Sequence, residues 1–321
     1  MAVSRFSLIR ILADGSFHSC ERLGRALGLS RAGVEHQLHG IEALGLRISK
    51  VRGRGYRLAE PVDLLDRDAL AARLRKSSPV LSVEVRDECA STSTALAAEG
   101  TAHGTVLVCE HQSAGRGRRG NTWFSAPARG LTFSLLWRFS QGAAGLAGLS
   151  LAVAVGAVRA LERLGMEGVQ LKWPNDLYCG GRKLGGILIE SSGDALGPST
   201  VIVGLGLNVR LDPALRGRID RPVTDLASCG GAAVPPRTVL LGALLESLAE
   251  VLTRFAREGF APFRDDWQRR HAWQGRRVRL ALAGRVAEGE ALGVAEDGAL
   301  VLSSSRGVER FHSGELSLRR A

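Results

Sequence analysis

The sequence predicts an α+β chain in three parts: a small helical module closed by a hairpin, a mixed β-sheet covered by helices, and a short barrel of strands. Three observations carry this. The 321 residues exceed one ordinary core. The apolar pattern changes period twice, from helical spacing to strands mixed with long helices, and then to strands separated only by glycine turns. With 45% hydrophobic and 23% charged residues, the composition is that of a globular protein.

Residues 4–13 place Phe6, Ile9, Leu12 and Ala13 on one helical face and stop at Asp14-Gly15. Ser19 is placed to cap a second helix with Leu23, Ala26 and Leu27 on one side. Gly28-Leu29-Ser30 turns tightly, and Ser30 caps a longer helix in which Val34, Leu38, Ile41 and Leu44 recur until Gly45 ends it. Two helices joined by so short a turn are a helix-turn-helix signature, with the second helix placed to read DNA. LRISKVRGRGYRL then reads as a β-hairpin with a basic, glycine-rich tip, a "wing". This gives a winged helix-turn-helix domain over 1–62, followed by a linker over 63–78 with a helix at 63–76.

Residues 79–270 form the mixed region. VLSVEVRD, GTVLVCEHQ, LTFSLLWRF, VQLKW, GGILIE and VIVGLGLNV read as strands. LAGLSLAVAVGAVRALERLG is a helix of small residues suited to close packing on a sheet, and PPRTVLLGALLESLAEVLTRFAREG is a long amphipathic helix. Residues 271–321 are short strands between glycine turns, a small β-barrel.

Charge is uneven. Residues 1–60 hold ten Lys/Arg against five Asp/Glu, a net of +5 out of +11 for the whole chain, so the first fifth is the densest in positive charge and suits a polyanion. The five cysteines (Cys20, Cys89, Cys109, Cys179, Cys229) are odd in number, scattered and without a CxxC pair, which predicts buried free thiols rather than disulfides or zinc. No run of about 18 apolar residues predicts a membrane helix, and no secretory signal opens the chain. A cytoplasmic location and no membrane partner are expected.

Four segments carry chemistry. Gln112-Ser-Ala-Gly115-Arg116-Gly117-Arg118-Arg119-Gly120-Asn121-Thr122-Trp123 packs three glycines and three arginines into six positions. Like charges and glycine entropy oppose its folding alone, so it should order around phosphate or carboxylate oxygens; a solvated basic loop satisfies composition equally well. Lys172-Trp-Pro-Asn175-Asp176 is followed by Lys183-Leu-Gly185-Gly186-Ile-Leu-Ile-Glu190. Asn175 and Asp176 fall at a strand end, where Asp176 suits a Mg²⁺ ion, and Lys183 adds one compact charge; a plain hairpin turn is the alternative. Val203-Gly204-Leu205-Gly206-Leu207-Asn208 bares backbone on one strand face without being a dinucleotide fingerprint. Ser91-Thr92-Ser93-Thr94 offers a helix cap or hydroxyls for a polar ligand.

In order and spacing these four segments resemble the catalytic domain of biotin–protein ligases. The N-terminal helices with VRGRGYRL resemble the winged helix of the bifunctional ligase/repressor class, and GELSLRR the end of its C-terminal barrel. The resemblance covers nearly the whole chain. It implies a class II synthetase-like central sheet and a small SH3-like C-terminal barrel. It also implies an ATP-dependent enzyme that forms biotinyl-5′-AMP and passes biotin to a lysine of the biotin carboxyl carrier protein, with Mg²⁺ as helper. By the same resemblance, Ser91, Thr92, Ser93 and Gln112 would bind the biotin head, with Gly115 and Gly117 offering backbone. Arg116, Arg118 and Lys183 would be the catalytic cations near carboxylate and phosphate. Gly186, Leu188, Gly204 and Gly206 would line the pocket, and Trp123, Asn175 and Asn208 would hold the adenine end. On the winged helix, Ser30, Arg31, Ala32, His36, Arg52 and Arg54 would meet operator DNA, with a ligand-linked homodimer as the repressing species. Some relatives carry arginine where Asn121 stands, a departure that bears on loop closure. A lipoyl ligase, a ligand-sensing transcription factor without catalysis, and a ligase whose winged helix no longer binds DNA are the rival readings.

Overall fold

The computed structural model describes residues 4–318 apart from 77, 99, 126, 195, 231, 232 and 283. The N-terminal module comprises α1 (Arg5–Leu12), α2 (Cys20–Leu27), α3 (Arg31–Ala43), β1 (Ile48–Val51) and β2 (Gly55–Leu58). Ser4, Ser19 and Ser30 each accept an amide N–H of the first turn of their helices, as capping serines do. Phe6, Leu8, Ile9, Leu12, Leu23, Val34, Leu38 and Ile41 close a core of their own. Ala26, expected inside, is exposed, because Gly24 takes the close approach to the turn instead: a Cβ there would stand 2.6 Å from the Leu29 carbonyl oxygen.

The linker helix is shorter than expected, α4 (Arg67–Leu74), and is capped by Asp66. The stretch before it is fastened to the catalytic body. Asp63 accepts the Arg237 amide at 2.6 Å, and the Arg237 guanidinium donates to the Asp63 carbonyl and, at 2.8 Å, to Glu110, which also accepts the Leu65 amide. Arg237 and Glu110 are both almost fully buried. Further out, Glu60 joins Arg47 to Arg129, and Arg5 and Arg10 of α1 pair with Glu88 and Asp87.

The central part runs β3 (Ser82–Cys89), α5 (Thr92–Leu96), β4 (Thr105–Gln112), β5 (Gly130–Phe139), α6 (Leu149–Arg163), β6 (Gln170–Lys172), β7 (Asp176–Cys179), β8 (Arg182–Gly193), β9 (Ser199–Asn208), α7 (Pro213–Gly217), α8 (Arg237–Glu258) and α9 (Ala261–Arg269). The seven strands lie in the order β3-β4-β5-β9-β8-β7-β6, with β3 and β4 parallel and the other pairs antiparallel. The small residues of α6 admit α8: a Cβ at Gly156 would meet Val251 at 2.9 Å, and Ser247 donates to the Gly156 carbonyl. Ala143–Arg163 is long and apolar enough by composition to cross a bilayer, but most of it is buried here as a core helix.

The chain ends in five antiparallel strands, β10 (Arg277–Ala281), β11 (Val286–Val294), β12 (Leu300–Ser304), β13 (Gly307–Phe311) and β14 (Glu315–Leu318), ordered β13-β12-β11-β10-β14. One cysteine expectation fails. Cys20, Cys89 and Cys109 are free, but Cys179 and Cys229 are joined as a disulfide. They are 50 residues apart in sequence, and only the fold brings the end of β7 against the turn before α8.

Candidate functional site

The site lies over β5, β9, β8 and β7, in a cleft of about 810 Å³, which is the size of a small-molecule site. Its floor is bare backbone. In the β8–β9 register Gly186 faces Gly206 and Leu188 faces Gly204. Each glycine makes room for a different group. A Cβ at Gly206 would stand 2.4 Å from the Trp123 indole, one at Gly204 would stand 3.0 Å from the Ser93 hydroxyl, and one at Gly186 would stand 3.2 Å from the Lys183 ammonium.

One end of the cleft is a buried cluster of neutral polar groups. Ser91 caps α5, and the Thr92 amide donates to Gln112 Oε1 at 2.7 Å. The Thr92 and Ser93 hydroxyls lie 2.7 and 2.9 Å from the Ser134 hydroxyl. Gly115 has no room for a side chain, since a Cβ would meet Gln112 Nε2 at 2.9 Å and the Trp123 carbonyl oxygen at 2.5 Å. Such a cluster matches a small uncharged ring carrying both donors and acceptors.

The middle is cationic. Lys183 Nζ lies 2.6 Å from Asp176 Oδ1, and Arg118 donates to Asn175 Oδ1 at 3.3 Å. Burial holds the Arg118 guanidinium below its usual range. Asn175 in turn donates to the Ile187 carbonyl, and Asn208 to the Thr224 carbonyl at 3.0 Å, so both amides are fixed. Trp123 Nε1 is buried with no acceptor among the described residues. Arg116 lines the same cleft, but its guanidinium is half-exposed and paired with Glu190 at 2.8 Å.

Within the glycine–arginine loop, backbone and side-chain bonds span the turn. Trp123 donates its amide to the Gly115 carbonyl and Gly117 to that of Asn121, while Asn121 returns both its amide and its side-chain Nδ2 to the Arg118 carbonyl. The loop therefore closes on its own backbone, with Arg119 in the left-handed region at φ 57°. Arg221 reaches Asn121 Oδ1 at 3.4 Å from the opposite wall.

The cleft thus gathers Ser91, Thr92, Ser93, Gln112, Arg116, Gly117, Arg118, Trp123, Asn175, Asp176, Lys183, Gly186, Leu188, Gly204, Gly206 and Asn208. It also holds groups that the motifs did not single out: Ser134, Lys172, Tyr178, Arg221, Trp273 and Glu315. Ser134 had a signal, a hydroxyl at an alternate position of the apolar strand LTFSLLWRF. Arg221, Trp273 and Glu315 had none, since they come from distant loops and from the C-terminal sheet.

This arrangement agrees with the comparisons. Residues 89–208 match the biotin/lipoate A/B protein ligase family, 275–319 the biotin protein ligase C-terminal domain, and 4–57 an HTH domain. The bifunctional ligase/repressor BirA of Salmonella typhimurium is 35% identical over 98% of this chain and 97% of its own, and that of Escherichia coli 34% over the same shares. The chain belongs to the biotin/lipoate protein ligase family. A solved biotin protein ligase from Aquifex aeolicus, in complex with biotin and ATP, superposes with a TM-score of 0.64 at 31% identity, covering 75% of this chain and 99% of that one. The two ligase family models fall on the central sheet and the terminal one, and the HTH model on the N-terminal module.

On that module Ser30 caps α3, Arg31 is exposed in its first turn, and Ala32 and His36 are exposed on the side opposite the buried Val34 and Leu38. Arg52 and Arg54 stand exposed on the wing. Arg54 and Arg57 both lie on the Phe17 ring, at 4.6 and 4.8 Å from its centroid. A Cβ at Gly55 (φ +101°) would overlap the His18 carbonyl, so glycine is required for the wing to seat on the chain before α2.

Proposed function

We propose that this protein activates biotin with ATP, forming biotinyl-5′-AMP and pyrophosphate, and transfers biotin to one lysine of the biotin carboxyl carrier protein of acetyl-CoA carboxylase. The observation that carries this reading is the pairing, in one cleft, of the buried Thr92–Ser93–Ser134–Gln112 cluster with the Lys183–Arg118 pair. The cluster takes the ureido ring of biotin. Lys183 and Arg118 face the point where the carboxylate meets the α-phosphate, and offset the charge that gathers there. Trp123 over Gly206, with Asn208 and Asn175, borders the adenine end. No side chain need act as nucleophile, because positioning and charge suffice.

The donor set does not fit a protein-caged Mg²⁺. Asp176 Oδ1 is held by Lys183, and among the described residues no group of three His, Cys, Asp or Glu could enclose an ion. Any Mg²⁺ used would have to take most of its oxygen ligands from the phosphates of ATP and water.

A lipoyl ligase is disfavoured by the polar cluster itself. An apolar dithiolane ring would make no hydrogen bond to these hydroxyl and amide groups, whereas the ureido ring of biotin carries both donors and acceptors for them. The winged helix adds a second activity, repression of biotin synthesis at operator DNA, by a homodimer favoured when biotinyl-AMP is bound. The test is incubation with labelled biotin, ATP and a biotin carboxyl carrier domain. Label should appear on one lysine of the carrier, and Lys183→Ala should abolish most of it. No label with the wild-type chain rejects the reading.

A further inference from the structure

Lys172 opens the Lys-Trp-Pro-Asn-Asp motif. Lys172 ends β6, the outermost strand of the sheet. Its register partner on β7 is Asp176, whose carboxylate is already engaged by Lys183. Lys172 forms no ion pair among the described residues. Its ammonium instead lies 3.3 Å from the Tyr178 hydroxyl, 5.2 Å from the Tyr178 ring centroid and 4.9 Å from that of Trp273. Trp273 is delivered there because the chain after α9 pairs with β6: Leu171 donates to the Arg270 carbonyl and Ala272 to that of Leu171. Burial holds the Lys172 ammonium below its ordinary range; the Asp176 and Glu315 carboxylates oppose that shift, and Lys183 and Arg221 add to it.

A half-buried ammonium on an aromatic shelf, lining the ligand cleft and forming no ion pair of its own among the described residues, is poised for an anion supplied from solution. The strand order says which. The polar cluster sits over β4, β5 and β9, Lys183 and its partner Asp176 on β8 and β7, and Lys172 on β6. Adjacent strands are about 4.8 Å apart, so the line from the biotin head through Lys183 continues to Lys172. In an in-line displacement the leaving group departs opposite the nucleophile. Resting on the ligase reading above, we propose that Lys172 is the cation that receives the pyrophosphate leaving group. The biotin carboxylate oxygen bonds to Pα, the bond from Pα to the bridging oxygen breaks, and that oxygen keeps the electron pair. The Lys172 ammonium stays protonated throughout and hydrogen-bonds the departing oxygens.

The test separates the two half-reactions in the full chain. For Lys172→Met, adenylate formation should fall at least tenfold and the inhibition constant for added pyrophosphate should rise at least tenfold, while the KM for biotin stays within twofold. Transfer from premade biotinyl-AMP to the carrier should be unchanged, because that step contains no pyrophosphate. Lys172→Arg should recover part of the pyrophosphate affinity. An unchanged pyrophosphate constant, or an equal loss in transfer from premade adenylate, overturns the proposal. So does a Lys172→Arg protein as weak towards pyrophosphate as the methionine variant, which would mark Lys172 as a packing residue. A wild-type chain that makes no adenylate would instead reject the ligase reading itself.

Discussion

The absence of one methyl group at Gly206 decides where Trp123 lies. A Cβ there would stand 2.4 Å from the indole, far inside the roughly 3.5–4 Å at which carbon atoms rest. Gly206→Ala must therefore push the ring outward and disturb whatever stacks beside it. We expect the KM for ATP to rise about tenfold, equivalent to about 1.4 kcal/mol, with the KM for biotin nearly constant, because the hydroxyl cluster lies two residues away at Gly204. Steady-state kinetics with each substrate varied in turn checks this, and equal shifts in both constants would contradict it. The glycines and arginines of the site were legible because each removes or adds a property that a strand or loop otherwise lacks. Lys172, Tyr178 and Trp273 were not. Their common purpose depends on β6 being the outer strand and on a segment a hundred residues later pairing with it. Asn121 was legible as a departure, but its bonds to the Arg118 carbonyl were not.

At the scale of elements, the join between α9 and the terminal sheet is held partly by His271. It is buried, stacked on Trp267 with ring centroids 4.7 Å apart, and bonded through Nδ1 to Gln274. Burial pushes its imidazole down to about 4, whereas an unfolded chain holds it near about 6.5. Between these values the unfolded chain binds a proton that the folded chain refuses, so stability declines as pH falls from about 6.5 to 4 and is full above that window. The loss is about 3 kcal/mol. Thermal melts at pH 7 and pH 4.5 should show a larger decrease for the wild type than for His271→Phe; equal decreases would mean that His271 is not held neutral. The long helices and central strands followed from period alone. The strand β7 did not, being only four residues long and hidden behind Pro174, and α9 did not because its apolar side consists of little more than Phe263 and Trp267.

For the whole molecule, the question is how a cleft in the sheet speaks to a helix in a DNA groove. One winged helix reaches few phosphates and bases, and specific binding generally takes two half-sites related by protein symmetry. In fluorescence anisotropy against the promoters of biotin-synthesis genes, the full chain should bind more tightly with biotin and ATP present than without them. Arg54→Ala should weaken all sequences alike and reduce the salt dependence by about one phosphate's worth. No sequence-specific binding in either condition, at low salt, would leave the protein a ligase alone. The three-part order was legible from changes of period. What was not legible is how tightly the first joint is made, because Glu110, Arg237 and Asp63 are far apart in sequence. That joint determines where the chain may be divided. A fragment begun at Pro79, where the linker gives way to strands, would strip Glu110 of the Leu65 amide and Arg237 of Asp63, opening a buried ion pair to water from one side. The separable piece ends before Asp63; Asp63, Leu65 and Asp66 belong by their bonds to the enzyme, and a DNA reader grafted from or onto this chain should be spliced at residues 59–62.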